Sequence, residues 1–161
     1  MEKKRSKGVT FFAWLIIILN IIGLLLQLNF KSSFDLLKSF NKNIVLVIIL
    51  YGLLSAIIGI ISGFGILKLK EIMRKIAVAI NVGDVLYNTI IPIIAAKDIW
   101  QYSYSVAVQQ LAGKSETFLS VDAITSIGFY SAISLYVFYV GLSLLFIFFF
   151  TRPKVKEQFK G

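Results

Sequence analysis

Ile76–Ala96 reads IAVAINVGDVLYNTIIPIIAA. The stretch is long enough to cross a bilayer, yet its middle carries Asn81, Asp84 and Asn88, followed by Pro92. On a helical wheel at about 100° per residue, the four fall within roughly 80° of one another. They therefore share one face. Proline has no N–H to offer the carbonyl of Asn88, and its ring pushes that carbonyl away. A freed backbone oxygen is thus expected about 6 Å along the axis from Asp84, at a rise of about 1.5 Å per residue. Thr89 can soften the kink by bonding within the preceding turn.

The surrounding chain explains why such a stretch matters. Its 161 residues are 58% hydrophobic, more than a water-soluble fold of this size can cover. The apolar residues come in four runs, at 9–28, 44–67, 76–96 and 127–150. Each reaches the roughly 20 residues a helix needs to cross a hydrocarbon core about 30 Å thick. Backbone groups in lipid must bond internally, so these are helices. The predicted fold is an all-α membrane protein: one domain over 1–161, a four-transmembrane-helix bundle with short interfacial helices in its loops. The first run follows a basic segment, MEKKRSKG, but is too long for a signal-peptide core. A retained helix is expected.

Basic residues set the threading. Lys3, Lys4, Arg5 and Lys7 precede the first run; Lys68, Lys70, Arg74 and Lys75 follow the second; Arg152, Lys154, Lys156 and Lys160 follow the fourth. That side holds 12 of the 17 Lys and Arg residues, which makes it cytoplasmic and puts both termini there. The loops 29–43 and 97–126 are then external, and the expected location is the cell membrane. The net charge of +9 is spent on topology, so no nucleic-acid partner is expected. The expected partners are the bilayer and a second copy or another membrane protein.

Cysteine and histidine are both absent. Disulfides, thiolate chemistry and haem ligation are excluded, with nearly all zinc and copper sites. No cofactor or metal site is expected. An intramembrane enzyme is disfavoured as well, because no second buried carboxylate or nucleophile–base pair can be assembled in the lipid.

The remaining segments supply packing. Gly52, Ala56, Gly59 and Gly63 form one stripe on the second helix, and Ser55, Gly59 and Gly63 form a ladder beside it. Small residues let neighbouring backbones approach closely, and helices 2 and 3 should be antiparallel neighbours. Gly63 and Gly65 are expected to loosen the end of helix 2. Asn20, near the middle of helix 1, needs a partner on another helix. In loop 29–43, Phe30, Phe34 and Leu37 recur at helical spacing and predict an interfacial turn or two. In loop 97–126, Trp100, Tyr104, Ala107, Val108 and Leu111 predict an interfacial helix, then a polar break at AGKSET. In the tail, Thr151 is a candidate cap, with Pro153 in the first turn and Val155 and Phe159 on one face.

The hairpin GFGILKLKEIMRKIAVAIN and the ending FFFTRPKVKEQF resemble small four-helix membrane proteins of bacteria and archaea with no assigned function. The resemblance implies a fold and a topology and carries no known site. Four-helix multidrug transporters carry their acid in helix 1, which has none here, and tetraspanins need cysteines.

Two functions follow from Asp84. It has no Lys or Arg within any of the four runs to pair with. As a neutral acid hydrogen-bonded to Asn20, Asn81 or Asn88 it would be packing glue, and the protein a structural or accessory bundle. With the amide oxygens and the freed carbonyl it would form an all-oxygen pocket. That pocket would suit a proton or monovalent cation, in a small transporter or channel.

Overall fold

The computed structural model describes residues 6–28, 42–112 and 120–160. These are helical: α1 (Lys7–Leu28), α2 (Lys42–Leu67), α3 (Glu71–Ile94), α4 (Ala96–Leu111), α5 (Val121–Thr151) and α6 (Pro153–Phe159). Four of them, α1, α2, α3 and α5, are long and apolar enough to cross a membrane. Their outer faces are apolar: Ile93 is 72% exposed and Val137 67%, while Asn81, Ser62 and Ser143 are buried. Large apolar side chains outside and polar ones inside invert the pattern of a water-soluble domain. The first-loop helix expected from Phe30, Phe34 and Leu37, and most of the AGKSET break, lie outside the described residues.

Neighbours run α1–α2–α3–α5, with α4 folded back along α5. The α1–α2 seam is made by glycine. A Cβ at Gly59 would collide with the Asn20 amide, and one at Gly63 would stand 2.5 Å from Ile17 Cγ1 and 3.2 Å from the Ala13 carbonyl oxygen. Gly59 and Gly63 of the stripe therefore serve helix 1. Nor do Gly63 and Gly65 loosen α2, which continues through both to Leu67. Both are buried, and Gly65 receives the Met73 side chain from α3.

The turn between α2 and α3 is tighter than the basic run suggested. Lys70 N–H bonds Gly65 O at 3.0 Å and Leu69 N–H bonds Ile66 O at 2.9 Å. This pairing is a Schellman motif, and it places Leu69 in the left-handed region at φ 52°. Only Gly normally takes that position without strain; here the Leu69 side chain packs on the core. The helix then restarts at Glu71, five residues before Ile76, because Glu71 and Arg74 pair within its first turn.

Arg74 clasps the terminal end of the bundle. It is buried and donates to Glu71 at 2.7 and 2.6 Å and to the Phe150 carbonyl at 2.7 Å. That carbonyl belongs to the last turn of α5, where intrahelical donors run out. Beneath lies an apolar cluster including Val9, Ala13, Ile66, Phe146, Phe150, Val155 and Phe159. The tail helix α6 thus turns its apolar face into the bundle. Its cap is Arg152, without a side-chain cap bond, and the Thr151 hydroxyl instead bonds back to Ile147 O at 2.7 Å. Gln158 accepts from the Ser6 N–H at 3.0 Å, so the two ends of the described chain meet here.

At the opposite end α3 runs past Pro92 to Ile94 and turns at Ala95 directly into α4. The buried stripe of α4 is Ile99, Ser103 and Ala107, facing α5, with Ser103 against Gly128 at 3.3 Å from where a Cβ would stand. Trp100, Tyr104 and Val108, expected on the apolar face, are exposed beside it. The expected helix exists, and the face it turns to α5 is set by Ser103 and Ala107. Ser120 caps that start by accepting from Ala123 N–H at 3.2 Å.

Gly63→Ala should lower the stability of the purified protein by about 1–3 kcal/mol, since a backbone carbonyl blocks relaxation. Gly23→Ala, with open space around it, should be neutral or stabilise by up to about 1 kcal/mol. Thermal unfolding in detergent compares the two. Arg74→Met should cost about 1–3 kcal/mol by the same assay, because the Phe150 carbonyl loses its partner.

Candidate functional site

Inside the bundle, all four long helices line one cavity of about 350 Å³. Asn20, Asn81, Asp84 and Asn88, which the sequence singled out, all lie on its wall. Pro92, expected on the same face, does not. The packing residues Gly52, Ser55 and Gly59 border the cavity too, and Gly63 lies outside it, in the α1–α2 seam.

Among the described residues Asp84 is the one charged residue in the lining, and no Lys or Arg borders the cavity. The partner of its carboxyl is a tyrosine and not one of the three asparagines. Tyr51 O–H on α2 donates to Asp84 Oδ1 at 2.8 Å. The Tyr51 ring stacks on Tyr87, with centroids 4.3 Å apart and planes 12° from parallel. Gly83 makes room for this contact, since a Cβ there would stand 2.9 Å from the Tyr51 hydroxyl. An acid, a phenol and a second phenol ring are thus locked across the α2–α3 seam.

The asparagines bond within their own helices. Each Nδ2 donates at 2.8 Å to the carbonyl four residues back: Asn20 to Ile16, Asn81 to Ala77, Asn88 to Asp84. The serines of α2 do likewise, Ser55 to Gly52 O at 3.2 Å and Ser62 to Gly59 O at 2.9 Å. The chemical result is one-sided. The hydroxyls of Tyr51, Ser55 and Ser62 have each spent their hydrogen, leaving lone pairs. Each amide keeps a carbonyl oxygen. Among the described residues the wall carries one acid, several acceptor oxygens and no basic group, and each amide keeps a second N–H beside its oxygen.

Tyr51 carried a readable signal that glycine counting obscured. Tyr51, Ser55, Ser62 fall at i, i+4, i+11, a polar stripe beside the small residues. Tyr139 and Ser143 of α5, four apart, also reach the cavity and form a second such stripe.

No family model matches the chain, and no curated protein or solved structure is significantly similar to it.

Tyr51→Phe should cost about 0.5–1.5 kcal/mol of stability. Gly83→Ala should be more harmful in the native background than in Tyr51→Phe, where the nearest ring atom would stand 3.9 Å away. A double-mutant cycle in detergent measures this coupling, expected near 1 kcal/mol. Additive effects would deny the contact.

Proposed function

We propose that this chain is an integral membrane protein of the cell membrane, with both termini cytoplasmic, that moves a proton or a monovalent cation by way of Asp84. The observation that carries this reading is the position of Asp84 on a cavity wall, with Oδ1 held by Tyr51. An acid buried purely for packing would be enclosed by partners; this one borders open space. Intramembrane acids that face a cavity mark ion pathways and proton relays.

The sealed terminal end favours a carrier over an open pore. Phe146, Phe150, Ile66 and Ala13 fill the bundle below the cavity, and Arg74 ties α3 to the end of α5 across it. Passage would require that seal to part while the Asp84 region closes, which is alternating access.

A structural or accessory role is the second reading, and it rests on the α1–α2 seam. The Asn20 amide fills the space over Gly59, which is how small residues bring helices together in lipid. In that role the four-helix bundle would pack against a second copy or a larger membrane complex.

Purified protein in proteoliposomes should dissipate an imposed sodium or proton gradient, and Asp84→Asn should lower the rate by roughly tenfold or more, the loss of one charge-assisted contact. Asp84→Asn should elute and unfold like the parent. A parent protein with no gradient-driven flux above empty vesicles would remove the transport reading and leave the accessory one.

A further inference from the structure

We propose that the cation this cavity accepts is an organic amine with an apolar body, admitted sideways between α1 and α5. The inference rests on the cation-site reading above and names its substrate class.

The first observation is size. A bare inorganic ion needs several oxygens converging on one small point. The cavity of about 350 Å³ has room for on the order of ten waters at about 30 Å³ each. Its volume falls in the range of small-molecule sites, roughly 300–1,000 Å³. The second is lining. Leu19, Ile48, Ile80, Leu142 and Phe146 supply apolar wall, while one carboxyl and the Tyr51–Tyr87 stack supply a single cationic locus. Aromatic faces with one acid hold an alkylated nitrogen without requiring it to lose hydrogen bonds. Among the described residues no Lys or Arg lines the cavity, which argues against a phosphate, so a free amine fits better than a zwitterionic lipid headgroup.

The third observation is access. Among the described residues, ring contacts between α1 and α5 all involve Phe12, against Phe146, Phe149 and Phe150, and Gly8 adds the same Phe149. Further along, the helices part. Gly23 on α1, in the cavity lining, has no atom of another helix near the position of a Cβ. Leu26 and Tyr139, at the cavity's rim, are 64% and 47% exposed. The resulting cleft lies between two apolar outer faces, so a ligand dissolved in the hydrocarbon reaches Asp84 without crossing the terminal seal.

The test is calorimetric titration of the full chain in detergent with phenethyltrimethylammonium, tetramethylammonium, sodium and the uncharged carbon analogue of the first. The expected result is binding of phenethyltrimethylammonium about tenfold or more tighter than tetramethylammonium or the neutral analogue. Asp84→Asn should lose that binding and Asp84→Glu should keep part of it. Gly23→Phe, placed where there is space for a ring, should weaken the larger probe more than tetramethylammonium. Phosphatidylethanolamine should not displace the probe; displacement would overturn the free-amine assignment. Equal affinity for the large and small ammonium ions would overturn the substrate class. Asp84-dependent sodium or proton flux without organic-cation binding would sink this inference alone. Loss of both signals would sink the cation site with it.

Discussion

One hydrogen bond, from the Tyr51 hydroxyl to Asp84 Oδ1, fixes how α2 and α3 sit against each other. A charged or chargeable group inside apolar helices is tolerated only where it has a polar partner or faces a cavity. Here it has both. Gly83 lets the phenol come close and Tyr87 holds its ring by stacking. With that seam set, the polar residues of both helices turn toward the middle of the bundle, and the apolar ones turn outward.

The rest of the architecture follows from how the other two long helices meet this pair. Helix α1 lies tightly along α2 because glycines at 59 and 63 let it, and it packs on α5 near its own start, through Gly8 and Phe12 against Phe146, Phe149 and Phe150. Helix α5 is tied at its far end by Arg74 and along its early turns by α4. The four helices are therefore drawn together at the end bearing the termini and held apart further along. A cavity closed at one end is the geometric outcome. The clasp and the cavity are two consequences of where the close-packing residues stand.

Much of this was legible in the chain. Four apolar runs of sufficient length gave the helices, and one misplaced acid with three amides gave the cavity's polar wall. The amides and the acid do line one space, which wheel geometry on a single helix could suggest only for three of them. What could not be read was pairing between helices. Tyr51 lies 33 residues from Asp84, and its polar stripe with Ser55 and Ser62 does not say which helix it meets. The start of α3 was misjudged because Glu71 and Arg74 were counted as loop charges. Their pairing at i, i+3 makes a helical first turn, and the Phe150 carbonyl that completes Arg74 lies 76 residues away. The face that α4 turns to α5 was equally hidden, because Ser103 is polar and only its closeness to Gly128 shows why it is buried.

The absence of native cysteine makes one measurement especially clean. Single cysteines at Ser55 and Gly23, on the cavity wall, and at Leu54 and Val137, on the outer faces, can be treated in membranes with a small cationic thiol reagent. Thiols react as thiolates, which need water. A central, water-filled, cation-accepting space predicts fast reaction at 55 and 23 and silence at 54 and 137. Reaction at 54 with silence at 55, or silence at all four, would contradict it.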